Sequence, residues 1–249
     1  MPDKPSPPTN SRIRWRSVAL PAEHGGWGMQ ICPILLGLLV VPTFTAVFLA
    51  ILYIAAFLAR TPLKIVWKNT ERGRRTPRTA AAVKALGIYI LLIIFGFVFT
   101  LANGGILPLL PLFFVLPLVA VLLYYDLVAT SRALLPELIA PGVLSSVVAG
   151  MALAAGWDWP HTLAIWAIPL MRSLPAILFV RARLRLDRDK PAHTAIAIAA
   201  HILAALVAAA LVSAGLIPTL AAVAIFILLG RALYGLSRFR RPIAIKTLG

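Results

Sequence analysis

Ionisable side chains within long apolar runs are costly to bury, so those that occur there are candidates for chemistry. Five groups of them stand out in this chain of 249 residues. Glu23-His24-Gly25-Gly26-Trp27 sets an acid and a histidine beside glycines that let backbone amides approach a ligand. His24 can change charge near neutral pH, and Glu23 and His24 are the best-placed candidates for general acid–base work. Read without chemistry, the same stretch is an interfacial helix start anchored by Trp27. Arg60, Lys64, Lys68 and Arg72 recur every four residues, a spacing that lines them along one side of a helix as a clamp for phosphate or for lipid head groups. Pro62 is expected to kink that helix or to begin a new one. Arg132 and Glu137 are close enough to pair across a helix entry, with Asp126 just before them. Arg172 falls in the middle of an apolar run between Pro169 and Pro175. It is expected to face a bundle interior or a wet cavity, with Glu137 or Asp126 as partner. The last group is Arg181-Ala-Arg-Leu-Arg-Leu-Asp187-Arg-Asp189-Lys190. There Arg183–Asp187 and Arg185–Asp189 are spaced to neutralise one another on a helix, leaving Arg181 unpaired at the apolar edge. His201, among alanines, reads as a packed polar residue, and the lone Cys32 as a small buried one.

The elements that must position these groups are membrane-spanning helices. Hydrophobic residues make up 61% of the chain and charged residues 13%, against roughly half and a quarter in a soluble domain. The run from Trp27 to Ala59 is too long for one span and is divided at Pro42-Thr43, which gives short helices over about 27–41 and 44–60. Residues 61–84 read as a strongly basic loop. Further spans are predicted at Ala85–Ala102, Ile106–Tyr125, Leu134–Gly156, His161–Val180, Ala195–Gly215 and Leu216–Leu233. The fold class is therefore all-α, a polytopic transmembrane bundle of about eight spans. A basic tail over 1–20 precedes the bundle over 21–236, and a second basic tail over 237–249 follows it. In the fifth span Gly142, Ser146, Gly150 and Ala154 form a small-residue face suited to close helix contact.

The net charge of +16 would suggest nucleic acid in a soluble protein. Its distribution gives another reading. With the N-terminus inside, 23 of the 24 Lys and Arg residues fall in the inner segments, and the last is Arg172. That is the positive-inside rule. It places both termini in the cytoplasm and the protein in the cell membrane, with membrane lipids and no nucleic acid as partners.

The string Pro21-Ala22-Glu23-His24-Gly25-Gly26-Trp27 resembles the opening motif of the YwiC-like family of bacterial integral membrane proteins. Arg60-Thr61-Pro62, Arg132 with Glu137, Pro141-Gly142 and the Arg181-Ala-Arg-Leu run add to a resemblance that extends from about residue 20 to 235. The family implies placement in a membrane rather than an activity. A more distant likeness is to the UbiA-type prenyltransferases, helical bundles usually of nine spans. Their Asp-rich motifs, in the inner loops after spans two and six, bind Mg²⁺ and a prenyl diphosphate. This chain carries its two largest basic clusters at those positions, with only Glu71 as an acid after the second span and Asp187 and Asp189 after the sixth. No cofactor is therefore expected, and Mg²⁺, for which the carboxylates of Asp187 and Asp189 are the candidate holders, stays as the alternative. The likeness implies instead a cavity open to the cytoplasm for an anionic or isoprenoid, phosphate-headed lipid. Its head group would meet Arg60, Lys64, Arg132, Glu137, Arg172, Arg181 and Arg185. The alternatives are a small-molecule transporter and a non-catalytic membrane assembly protein.

Overall fold

Apolar runs long enough to cross a bilayer must satisfy their own backbone hydrogen bonds, and helices do so within each segment. The computed structural model of the protein, which describes residues 15–21, 24–73, 76–128 and 133–237, is accordingly a helical bundle with no strand among the described residues. A short α1 (Arg16–Ala19) precedes α2 (His24–Val40), α3 (Phe44–Glu71), α4 (Pro77–Gly104), α5 (Leu110–Leu127), α6 (Leu134–Ala154), α7 (Trp159–Leu186), α8 (Thr194–Ser213) and α9 (Thr219–Leu236). Seven of these helices are long and apolar enough to cross a membrane, and α2 is a shorter apolar helix at the lower limit for a span.

Polar side chains end and begin the helices where the sequence breaks. Thr43 caps α3 by accepting from the Ala46 amide at 3.1 Å, so the division at Pro42-Thr43 holds. Thr76 caps α4 ahead of Pro77 in the same way. Asp158 caps α7 and meets His161 Nδ1 at 2.6 Å, and that hydrogen bond holds its carboxyl below the ordinary aspartate range.

Two expectations are corrected here. Residues 61–84 are not a loop. The helix α3 runs through the buried Pro62 to Glu71, and α4 starts at Pro77, so most of the basic segment is the tip of a helical hairpin. At 1.5 Å per residue a 28-residue helix spans about 42 Å, more than the ~30 Å of hydrocarbon, so the tip stands clear of the apolar zone. Cys32, expected to be buried, is exposed on α2.

The pairing of α3 with α4 is the most extensive in the bundle. It depends on Gly96, where a Cβ would lie 2.8 Å from the Phe48 carbonyl. The core lies where α2, α3 and α6 meet, around Leu49, Val147 and Met151. Gly150, on the small-residue face of α6, lets the Pro108 carbonyl approach to 2.6 Å of where a Cβ would sit. A second cluster joins α7, α8 and α9 around Met171, Ala205 and Ile225. By contrast α4 and α5 barely touch one another. They meet through the 3₁₀ turn Leu107–Leu109 that links them.

Candidate functional site: a basic cleft joined to an apolar chamber

Four-residue spacing on one helix places side chains on one side, and the unbroken course of α3 carries that register past Pro62. Arg60, Lys64, Lys68 and Arg72 all line one cleft of about 540 Å³, at the end of the bundle where α3 stops and α4 starts. Arg78 on α4 faces them across it. The tip is held by side chains, with Asn69 Nδ2 donating to Thr79 Oγ1 at 2.7 Å and the Thr76 hydroxyl 2.9 Å from the same oxygen.

The opening motif forms part of the wall. α1 buries Val18 and Ala19, and Tyr89 on α4 donates to the Ala19 carbonyl at 3.0 Å. Trp27 Nε1 donates to the Pro21 carbonyl at 3.3 Å, and its ring meets Phe57 edge-on at 5.3 Å. A Cβ on Gly26 would press on the Phe57 ring at 3.3 Å, so this glycine serves the fit of α2 against α3. Glu23 and the side chain of His24 lie outside the described residues, as does Arg132.

Arg60 sits at the inner limit of the cleft. Its Nε and Nη2 engage a single oxygen, Asp126 Oδ2, at 2.7 and 2.6 Å. Arg60 is about a quarter exposed (26%) and Asp126 largely buried (11%), so the pair is shielded from bulk water. Asp126 closes α5 and thereby ties it to α3.

Beyond Arg60, toward the middle of the bundle, lies a second cavity of about 440 Å³. Phe57 and Arg60 belong to the walls of both. The inner chamber is apolar: α3 forms one wall with Leu52 and Ala56, α4 another with Ile94 and Phe97, and α5 and α6 contribute Leu116 and Val143. Its polar groups besides Arg60 are few. Tyr53 lines it, with its hydroxyl 2.7 Å from Ser146 Oγ. Ser146 gives its own proton to the Val143 carbonyl at 2.7 Å, which leaves Tyr53 as the donor between the two hydroxyls. Ile94 on α4 and Leu116 on α5 are exposed members of the chamber wall.

The remaining candidates lie elsewhere. Glu137 pairs with Arg181 at 2.7 Å and so joins α6 to α7, which corrects the unpaired Arg181, while the expected pairing with Arg132 falls outside the described residues. Arg183 pairs with Asp187 at 3.0 Å as its spacing predicts, and it also donates to the Gly235 carbonyl. Arg185 donates to the Pro191 carbonyl at 3.4 Å rather than pairing with Asp189. Arg172 does not face the interior: it is exposed on α7, while Asp126 and Glu137 are engaged by Arg60 and Arg181. His201 is buried, with Nδ1 2.8 Å from the Ala197 carbonyl, as a packed polar residue. The single convergence of arginines at 60, 172 and 181 is thus not formed. Among the described residues, Arg60 and Lys64 alone of the predicted head-group ligands line the cleft, joined by Lys68, Arg72 and Arg78. Arg78 carried a signal in the sequence, since Thr76-Pro77 marks a helix start one residue before it. The described carboxylates are largely committed to cations, and among the described residues no three His, Cys, Asp or Glu side chains gather as a metal-binding group.

Eight apolar helices, with the described cations other than Arg172 toward the helix ends, define a multi-pass integral membrane protein. The chain belongs to the YwiC-like family, whose model matches residues 20–149, just over half of its length. That stretch holds nearly all of the residues that wall the cleft and the apolar chamber, and α7, α8 and α9 lie beyond it. No curated protein and no solved structure matches the chain.

Proposed function

We propose that the protein binds an anionic, lipid-like ligand at the cytoplasmic face of the cell membrane, with the head group in the basic cleft and the hydrocarbon in the apolar chamber. The observation that carries this reading is the sharing of Phe57 and Arg60 by the two cavities, one basic and one apolar. Cavities of this size suit small-molecule ligands. Lys64, Lys68, Arg72 and Arg78 pair with no carboxylate among the described residues, which favours a phosphate or another oxyanion, and Arg and Lys can hold it without a metal. The charge pattern of the sequence supports the cytoplasmic placement: with the N-terminus inside, 23 of the 24 Lys and Arg residues fall in the inner segments, those that line the cleft among them.

Lipid mass spectrometry of the purified protein provides the test. An anionic lipid is expected to co-purify, to be lost when Arg60→Ala and Lys64→Ala are combined, and to persist in Arg181→Ala. Recovery of the same lipids from the double variant as from the parent would sink the reading. One observation favours a second reading, that of a non-catalytic assembly protein. Arg172 is exposed in mid-span, where an acidic side chain on a partner's membrane helix would offset its burial. In that case Arg172→Leu abolishes co-purification of a defined partner and leaves lipid retention intact.

A further inference from the structure

Resting on the lipid-like ligand proposed above, we infer that the head group is a terminal phosphate, either a monoester or a diphosphate, and not a zwitterionic or singly charged diester. Among the described residues the wall of the cleft holds five cations, Arg60, Lys64, Lys68, Arg72 and Arg78, and one carboxylate, Asp126. Asp126 is already engaged by Arg60. An ammonium-bearing head group would bring its positive charge among cations with no free carboxylate among the described residues of the wall to receive it, and like charges at short range repel. A neutral head group would leave the cations facing one another.

Geometry selects further among anions. From Lys64 to Arg72 the α3 stripe extends about 12 Å at 1.5 Å per residue, with Arg78 opposite. A diester phosphate presents one charge to that stripe. A monoester carries about −1.5 to −2 near neutral pH, its second ionisation lying near pH 6, and it offers three acceptor oxygens. A diphosphate offers more of both. Arg60 is set to take part, because Nε and Nη2 converge on one Asp126 oxygen and Nη1 makes no part of that pair. Asp126 is thus a positioning residue, which fixes the guanidinium while leaving donors for a ligand oxygen.

The experiment uses the full-length protein in neutral detergent with three probes. Dioleoyl phosphatidic acid is a terminal monoester, dioleoyl phosphatidylglycerol is a singly charged diester with the same tails, and inorganic diphosphate has no tail. Native mass spectrometry and the thermal unfolding midpoint report binding. Phosphatidic acid is expected to bind about tenfold more tightly than phosphatidylglycerol at about pH 8. That preference should shrink as pH falls below about 6, where the monoester loses its second charge. Lys68→Ser with Arg78→Ser should abolish the preference, and Arg188→Ser, an exposed cation outside the cleft, should keep it. Equal binding of the two lipids, both lost in Arg60→Ala, overturns the head-group inference and leaves the lipid site standing. Diphosphate binding as tightly as phosphatidic acid keeps the head-group class and overturns the role of the apolar chamber. No binding of any probe overturns both.

Discussion

At the residue scale, the ion pairs decide what each charge is for. Arg60–Asp126 and Arg181–Glu137 join side chains 66 and 44 positions apart in the chain. The sequence shows that such groups need partners, because burying an ionised side chain alone is costly. It does not show which partner, since that depends on which helices are neighbours. Asp126 is therefore visible in the sequence only as an acid at a span edge, and its role comes from α5 lying against α3. Asp126→Asn is expected to lower stability by about 1–3 kcal/mol, because it leaves a shielded guanidinium with a weaker acceptor. Thermal unfolding in detergent measures this, and a double variant with Arg60→Gln should recover part of the loss. An unchanged midpoint in Asp126→Asn would show that the pair contributes nothing. Arg172 leads to the opposite expectation. It is exposed in mid-span, where an arginine costs about 2.5–3.5 kcal/mol on insertion scales. Arg172→Leu should keep or raise the unfolding midpoint of the isolated protein. A clear fall would mean that Arg172 is held by a contact within the protein after all.

At the element scale, the apolar runs and their breaks were legible. Pro42-Thr43 separates α2 from α3 as its residue types dictate, whereas α4 starts at Thr76-Pro77, eight residues ahead of the span read from Ala85. The course of α3 was not. A proline inside a helix removes one hydrogen bond and crowds the preceding turn, so Pro62 reads as a boundary. In a membrane bundle neighbouring helices and local adjustment can re-satisfy the freed carbonyl, and Pro62 is buried against such neighbours. Because α3 continues, the four-residue spacing of its cations becomes a wall. Gly96 fixes how closely α4 follows that wall, since a Cβ there would lie 2.9 Å from the Leu52 amide nitrogen as well as against the Phe48 carbonyl. Gly96→Ala is expected to cost about 1–3 kcal/mol, the usual range for overpacking against atoms that cannot yield. The unfolding midpoint should fall accordingly, whereas Gly87→Ala, with open space around its Cβ, should leave it unchanged.

At the scale of the whole molecule, the chain divides its tasks. The cleft and chamber are walled by residues between Ser17 and Leu144, and α7, α8 and α9 form an adjoining cluster whose α7 packs on α6, a wall of the chamber. The sidedness of charge predicts a labelling pattern. In a Cys32→Ser background, a cysteine at Thr70 should react with an impermeant maleimide only after the cytoplasmic face is opened, and one at Ala214 should react in intact cells. The reverse pattern would invert the proposed orientation. The exposure of the chamber residues Ile94 and Leu116, on two helices that barely touch, carries one more consequence, if the ligand passes between α4 and α5. A ligand that enters there comes from the leaflet and never dissolves in the cytosol. Its occupancy is then set by its mole fraction among neighbouring lipids, so diluting the protein in water leaves occupancy unchanged, while diluting the bilayer with inert lipid empties the site.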